Sequence, residues 1–400
     1  MVRNRKSNDE DFVPQTQYPK RTTRPKKKPP PKPSALPDFD PVPIDNNTTY
    51  GRPNIPEYID TSDPYAIFRL FFTDELLDKL AEFTNRNAEL HPTPLERQPK
   101  DSPRPWKPTC RQELLAYLAV LFHMGIHTEP STEDYWNSSL SDGPIHGVGD
   151  FISCNRWEQL DRYFYCTKPK EQDDTPFQNT FQRVEDLSEH LRLCCRRLYK
   201  PGIHLAVDES IERFTGRASE IVNIPTKPIP EGFKIWILGN QGYVLDWMFH
   251  AKGAGKGPYD LDTSFVKDGF TKTEAVVLDL LLQEDVETKE RLYPPRQHVV
   301  WLDNLFTSIK LLQRLREEGI GAAGTVRTVK TQREEQEDLT PKRKEHMSPS
   351  LIDLKLIHEG QIPWGTLYAE LSNNGQVLEL AWKDSKIVLF MSTIGKGMFI

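Results

Sequence analysis

Two short apolar runs, each followed by an aspartate, constrain the fold of this chain most. The first is His204–Val207, which precedes Asp208, and the second is His298–Leu302, which precedes Asp303. Runs of this length with β-branched residues are typical of buried strands. An aspartate directly after such a strand lies where the sheet opens to solvent or ligand. The two segments therefore predict a pair of carboxylates at neighbouring strand ends, an arrangement that suits a divalent cation.

The same pattern has a second interpretation, in which both aspartates only cap turns at the strand ends. Glu209 follows Asp208 directly, so its side chain is expected on the opposite face of the strand and not as a substitute ligand. Asp384, in a predicted hairpin strand, is a further candidate to reach the site. Trp236 and Trp301 are expected to be core aromatic residues and not platforms for stacked bases.

The composition of the chain indicates a disordered part and a globular part. Of the 400 residues 33 are proline and 37% are hydrophobic, which indicates disordered stretches beside one sizeable core. Residues 1–62 are predicted to form a disordered, proline-rich tail with the basic run KRTTRPKKKPPPKP at residues 20–33. This run is either a nuclear-import signal or phosphate contact, or a solvated tail without a partner. A net charge of −6 excludes a nucleic-acid binder that acts through bulk charge.

Periodicity predicts a mostly α-helical region at residues 63–200 and a strand-rich region at residues 201–400. The order β-β-β-α-β-α-β is predicted for the second region, from strands Ile203–Val207, Phe233–Leu238 and Tyr243–His250, helix Thr273–Leu282, strand His298–Leu302, helix Ser308–Glu318 and strand Gly321–Val326. A charged loop at about 328–350 and three further strands, Gly365–Leu371, Val377–Trp382 and Lys386–Met391, follow. This order favours a mixed sheet in an α/β fold.

Several classes of protein are not indicated. The five cysteines lack the spacing of zinc ligands, and their odd number suits a reducing compartment. No apolar run approaches the roughly 18 residues of a membrane span, and no secretory signal follows Met1. The glycine-rich segment Lys252–Gly257 lacks the spacing of a phosphate loop, and a flexible loop near a nucleic-acid backbone is the alternative.

A series of short motifs gives the chain a specific resemblance. Those of the helical region are Thr84-Asn85, Trp106, Glu113, Met124-Gly125, Tyr135-Trp136 and Arg156-Trp157. Those of the strand-rich region are Asp208-Glu209-Ser210, Phe214-Thr215-Gly216-Arg217, Lys227-Pro228, Asp303-Asn304, Phe306-Thr307-Ser308, Gly324-Thr325-Val326-Arg327 and Trp382-Lys383-Asp384. In this order and spacing, from about Asp63 to Ser392, the chain resembles piggyBac-type transposases and the proteins derived from them.

The resemblance implies an RNase H-like mixed-sheet core after a helical domain, and cut-and-paste transposition of DNA with Mg²⁺ or Mn²⁺. It implies that three aspartates bind the metals, of which Asp208 matches the first and Asp303 the second. The third belongs to a C-terminal helix with a G-(V/G)-x-D-x-x-D-Q motif, and this sequence contains neither that motif nor a cysteine-rich zinc-binding tail. Arg217 and Lys227 fall at matched positions and are expected to contact DNA phosphates.

The expected function is therefore that of a nuclear, transposase-derived protein that binds double-stranded DNA, with catalysis impaired. A homodimer is a further expectation, and no membrane association is expected. Two alternatives stay open: an active transposase whose C-terminal end is missing from this chain, and a non-functional relic.

Overall fold

A computed structural model describes residues 29–33, 35–45, 48–93, 104–251, 257–326 and 347–395. The helices are α1 (Pro64–Phe71), α2 (Asp74–Leu90), α3 (Arg111–Ile126), α4 (Cys154–Tyr163), α5 (Glu185–Arg197), α6 (Thr263–Lys267), α7 (Lys272–Leu281), α8 (Ile309–Glu317) and α9 (Pro349–Asp353). The strands are β1 (Arg52–Pro53), β2 (Tyr199–Lys200), β3 (His204–Arg213), β4 (Ile221–Asn223), β5 (Glu231–Asn240), β6 (Tyr243–Ala251), β7 (Gly257–Pro258), β8 (Val299–Leu302), β9 (Gly321–Thr325), β10 (Leu367–Leu371), β11 (Leu378–Lys383) and β12 (Ile387–Ser392). Short 3₁₀ or π turns lie at Thr132–Trp136, Val148–Asp150, Thr180–Val184, Leu354–His358 and Glu359–Gln361.

The helices begin at recognisable capping residues. The Thr73 hydroxyl accepts the Leu76 amide at the start of α2, and Thr271 forms a capping box with Glu274 at the start of α7. At the start of α3, Cys110 is the capping residue and makes no side-chain cap bond. The Thr109 hydroxyl instead donates to the Glu113 carboxylate at 2.7 Å.

One large mixed sheet organises the strand-rich region, in the order β10-β11-β12-β9-β8-β3-β5-β6-β7, with β4 paired to β5. The pairs β3–β8 and β8–β9 are parallel, and the other pairs of the sheet are antiparallel. Within it, the order β6-β5-β3-β8-β9 is that of an RNase H-like core. The predicted elements occur in the predicted β-β-β-α-β-α-β order, and their termini agree to within a few residues apart from the end of β3. The short elements β4, β7 and α6 were not predicted.

Helices α7 and α8 cover one face of the sheet. They bury apolar side chains such as Val277 and Leu311 against Leu205 and Val300, and all four belong to one core cluster. The helix α8 begins at Ser308, whose hydroxyl accepts the Leu311 amide at 3.1 Å. The core therefore fixes the point where the pairing of β3 with β8 ends. The two aspartates follow this point directly, Asp303 after the end of β8 and Asp208 within β3, which continues to Arg213.

The other face of the sheet is partly covered by residues 35–45, which we call the N-terminal strap. Leu36 and Phe39 pack against the outer strands, and the Val42 amide donates to the Thr393 carbonyl at 2.8 Å. We expected residues 1–62 to be disordered, yet this part is packed because Leu36, Phe39, Val42 and Ile44 supply closely spaced apolar side chains. Residues 1–28, with most of the basic run, lie outside the described residues.

The charged loop predicted at about 328–350 lies largely outside the described residues. Where the description resumes, Met347 is buried in the main core, and Pro349 begins α9. The packed structure after the loop therefore begins at Met347, a few residues before the predicted end of the loop at about 350. Among the described helices, none has the length and apolarity that a membrane span requires.

Candidate functional site

The parallel pairing of β3 with β8 brings Asp208 and Asp303 to neighbouring positions. Val207 and Leu302 are the last register partners of the pair, and the two aspartates follow them directly. Neighbouring strands lie about 4.8 Å apart. Val207 and Leu302 enter the main core, whereas both aspartates are exposed.

Each aspartate uses one carboxylate oxygen in a local backbone hydrogen bond. Oδ1 of Asp208 accepts the Glu209 amide at 2.8 Å, and Oδ1 of Asp303 accepts the Leu305 amide at 2.6 Å. Asp303 therefore caps a turn, as the alternative interpretation held. Within the described part of the chain, no ion pair neutralises either carboxylate, and each Oδ2 has no hydrogen-bond donor. Two such oxygens fit the oxygen-ligand preference of a divalent cation.

The segment after Asp303 anchors the second aspartate to the core. Phe306 is fully buried and packs edge-on against Trp236, with ring centroids 5.7 Å apart. The Thr307 hydroxyl donates to the Asp303 carbonyl at 2.8 Å. A Cβ at Gly324 on β9 would approach that hydroxyl oxygen to 2.1 Å, so only glycine fits there without a shift. The Asp303 motif and the Gly324 motif therefore form one packed unit.

A buried acid links this unit to the neighbouring helix. Oε1 of Glu274 on α7 accepts the Ser308 hydroxyl at 2.5 Å, and Oε2 accepts the Thr271 hydroxyl at 2.8 Å. Glu274 is buried. Glu274 thus accepts hydrogen bonds from the capping residues of both α7 and α8. It therefore holds the loop that carries Asp303 in place.

Glu209 points away from Asp208 and is a partner for two lysines. Its carboxylate lies 3.2 Å from the Lys234 Nζ and 3.4 Å from the Lys227 Nζ. These ion pairs could not be predicted from the sequence, because the folding of strands β4 and β5 brings the lysines to Glu209. Lys227, which we predicted to contact DNA, is therefore partly neutralised within the chain. Arg217 is exposed and makes no ion pair with the described residues.

The remaining sequence candidates are placed away from the pair. Asp384 lies in the turn between β11 and β12, where its Oδ1 accepts the Trp364 indole N–H at 3.2 Å, and β9 and β12 separate it from β8. Trp236 is buried in the core, and the indole of Trp301 donates to His204 at 3.1 Å. Most of Lys252–Gly257 lies outside the described residues. Over the described ranges, no three His, Cys, Asp or Glu side chains form a metal-binding group.

The motif residues of the helical region form a structural network. Arg156 donates to both oxygens of Glu113, at 2.7 and 2.6 Å, and its guanidinium lies 4.6 Å from the ring centroid of Trp106. Asn85 exchanges two hydrogen bonds with the Thr109 backbone. These residues therefore join α2, α3 and α4 and the segments between them, away from the aspartate pair.

Comparison with known proteins agrees with this geometry. A family model described as Transposase IS4 matches residues 63–399. The chain is 24% identical over 326 residues to human piggyBac transposable element-derived protein 2, covering 81% of this chain and 47% of that protein. It is 23% identical over 339 residues to human piggyBac transposable element-derived protein 3, covering 84% and 48%. The chain thus spans about half the length of these relatives.

Among solved structures, the fold is similar to a piggyBac transposase in a cryo-EM synaptic complex with hairpin DNA. The TM-score is 0.56 at 22% sequence identity, and the match covers 86% of this chain and 63% of the other. At this identity the likeness establishes the fold, including the mixed-sheet RNase H-like core.

Proposed function

Because this chain belongs to the family that the Transposase IS4 model describes, we propose that it is a transposase-derived protein that binds double-stranded DNA and holds a divalent cation, Mg²⁺ or Mn²⁺, between Asp208 and Asp303. We also propose that residues 63–200 act as a helical domain beside the core of residues 201–400. The observation that carries this proposal is the parallel register of β3 and β8, which makes the two aspartates neighbours.

The charge of the pair supports cation binding. Two exposed carboxylates lie side by side without a cation from the described residues. Like charges at this spacing repel, and a divalent ion relieves the repulsion. When bound, such an ion polarises a phosphate oxygen and lowers the pKa of water. Asp208 and Asp303 would each hold one carboxylate oxygen in a fixed position on the rigid sheet.

We propose that strand cleavage by this chain is impaired. Two-metal phosphodiester cleavage requires ligands for both ions, and no third acidic or imidazole group joins the pair within the described residues. Incubation of the chain with supercoiled plasmid in Mg²⁺ or Mn²⁺ tests this point. We expect the plasmid to remain supercoiled, and nicking that Asp208→Asn abolishes would establish the alternative of an active transposase.

Metal binding can be measured directly by titrating Mn²⁺ and following the EPR signal of the free ion. We expect Asp208→Asn and Asp303→Asn each to weaken binding by more than about 10-fold, since even groups outside the metal's ligand set are worth 10- to 100-fold. Asp384→Asn is the matched control, because that aspartate directly follows a strand, as Asp303 does, but lies apart from the pair. Equal affinity in all four proteins would rule out the proposed site.

DNA binding is tested by the mobility of a blunt duplex in a gel across a range of salt concentrations. We expect a retarded complex at low salt that weakens as salt rises, because cations on the protein displace counterions from the phosphates. Arg217 is the exposed cation that we place at this contact. A duplex that is never retarded at low salt would contradict the proposal and favour the relic.

We further propose nuclear import through the basic run at residues 20–33, and a homodimer as the DNA-bound form. A fluorescent fusion of the full chain should accumulate in nuclei, and substitution of Lys26, Lys27 and Lys28 by alanine should disperse it. Sedimentation of the protein with and without duplex tests the dimer. A monomer in both conditions would exclude it.

A further inference from the structure

Beyond the aspartate pair, β3 continues as part of a projecting arm. Residues 208–213 pair with β5 on one side, whereas the pairing with β8 ends at Val207. Arg213 lies five residues beyond Asp208, which corresponds to about 17 Å along a strand. We call the end of this arm, residues 213–231, the arm tip.

An open cleft of about 440 Å³ lies at the arm tip. Its lining consists of Arg213, Phe214, Thr215, Pro228, Ile229, Pro230 and Glu231. Ile229, between two prolines, is 40% exposed and supplies an apolar wall. The cleft therefore combines apolar walls with a few polar groups, as small ring systems require.

The Phe214 ring is held in place by other aromatic rings. Its centroid lies 4.7 Å from that of Phe233, which in turn packs edge-on against Phe181 at 5.5 Å. A Cβ at Gly216 would lie 2.5 Å from the far end of the Phe214 ring, so a larger residue there would have to displace the ring. The ring is thus presented to the cleft by a preorganised support.

The arm tip is also positively charged at its surface. Arg213 and Arg217 are exposed, while Glu220 is buried and accepts hydrogen bonds from Thr180 and Ser219. Glu212 precedes Arg213 on β3, and alternation points it to the opposite face. The exposed cations can contact phosphates, while Glu231 can accept a hydrogen bond from the amino group of a base.

We propose that the arm-tip cleft holds an unpaired nucleotide of bound DNA, with its base stacked on Phe214 and its phosphates beside Arg213 and Arg217. This rests on the proposed DNA binding and adds a preference for DNA that is partly single-stranded. The base lies about 17 Å from Asp208, or roughly five nucleotides at 3.4 Å each. Base stacking on an aromatic side chain tolerates any sequence, so the cleft selects unpaired structure more than sequence.

The test compares a blunt duplex with the same duplex carrying a short single-stranded extension. The wild-type chain should bind the extended DNA more tightly. Phe214→Leu, which keeps an apolar side chain against Phe233 but removes the π face, should weaken binding of the extended DNA by about 5- to 150-fold and leave the blunt duplex unaffected. An extension with 5-iodouracil should form a photochemical crosslink that maps to Phe214.

Tyr58→Leu is the matched control, since Tyr58 is an aromatic residue that is 84% exposed and lies outside the cleft. Thermal unfolding of each variant shows whether the fold is kept. Equal affinity of the wild-type chain for both DNAs, or an undiminished preference in Phe214→Leu, would overturn the inference while leaving duplex binding intact. Failure to bind either DNA would overturn the proposed function as well.

Discussion

Asp246 on β6 is completely buried and accepts the Nε–H of Arg192 on α5 at 2.5 Å. A second guanidinium, that of Arg196, lies 3.4 Å from the other carboxylate oxygen. Nearby, the Trp247 indole donates to Ser188 at 3.0 Å. This cluster links α5, the last helix of the helical region, to β6, the outer strand of the RNase H-like core. The two parts are therefore joined through a buried ion pair.

Removing Arg192 should therefore destabilise the protein strongly. Arg192→Met leaves the Asp246 carboxylate buried with the hydrogen bond from the Trp247 amide and the longer contact to Arg196. Breaking a buried ion pair in this way costs about 3–5 kcal/mol. Urea denaturation of both proteins measures the difference. Arg217→Met serves as the control, because this exposed arginine should change the free energy of unfolding by less than about 0.5 kcal/mol. An equal decrease in the free energy of unfolding for the two variants would show that the Asp246 cluster contributes no more to stability than an exposed arginine does.

The Glu113–Arg156 pair should give stability that disappears in acid. Partial burial acts to raise the pKa of Glu113, but hydrogen bonds from Arg156 and Thr109 and the charge of Arg156 outweigh it, so that the pKa lies below its ordinary value of 4.5. The stabilisation is therefore complete above pH 4.5 and is lost as the pH falls through the lower folded-state pKa.

The variant Glu113→Gln should be less stable than the wild-type protein at neutral pH, and the gap should narrow as the pH falls below about 4.5. Unfolding free energies of both proteins across this pH range measure the gap. A constant gap would mean that the network contributes through packing and not through the carboxylate charge.

Glu379 on β11 should show the opposite dependence on pH. It is buried, and this burial raises its pKa above 4.5 despite the hydrogen bond from the Ser348 amide. The folded protein then binds this proton more tightly than the unfolded chain does, so stability falls as the pH rises through the folded-state pKa. Glu379→Gln should be more stable than the wild-type protein at neutral pH, with the advantage vanishing in acid. An advantage that persists at pH 3 would contradict this account.

The sequence predicted which segments form strands of the sheet better than it predicted where those strands end. Strands β5, β6 and β8 are rich in apolar residues. The turn at Gln241 and Gly242 has positive φ at both residues, 51° and 86°. The extension of β3 to Arg213 was missed, because Glu209–Arg213 contains one apolar residue, Ile211. Pairing with β5 forms that part of the strand, so tertiary structure overrides the local pattern.

At the candidate site, the sequence placed Asp303 correctly after a strand but placed Asp208 at a strand end, whereas it lies within β3. The sequence also could not show the partners of the neighbouring residues. The ion pair of Lys227 with Glu209 joins residues 18 positions apart through the β4–β5 turn, and no periodicity reports it. Phe214 belongs to the motif Phe214-Thr215-Gly216-Arg217, yet only the fold shows that Phe233 supports its ring. The apolar spacing of the N-terminal strap was visible in the sequence but was outweighed by its prolines.

The two cations predicted to contact DNA should contribute unequally. Arg217 is exposed and has no ion pair with the described residues, whereas Lys227 shares Glu209 with Lys234. Arg217→Ala should reduce the slope of log affinity against log salt by about 0.9, the value for one phosphate contact. Lys227→Ala should change it by less, because the lysine already has a carboxylate partner. Fluorescence anisotropy of a labelled duplex over a salt series gives both slopes. A larger change for Lys227→Ala would mean that Lys227 leaves Glu209 when DNA binds, and would reverse this assignment.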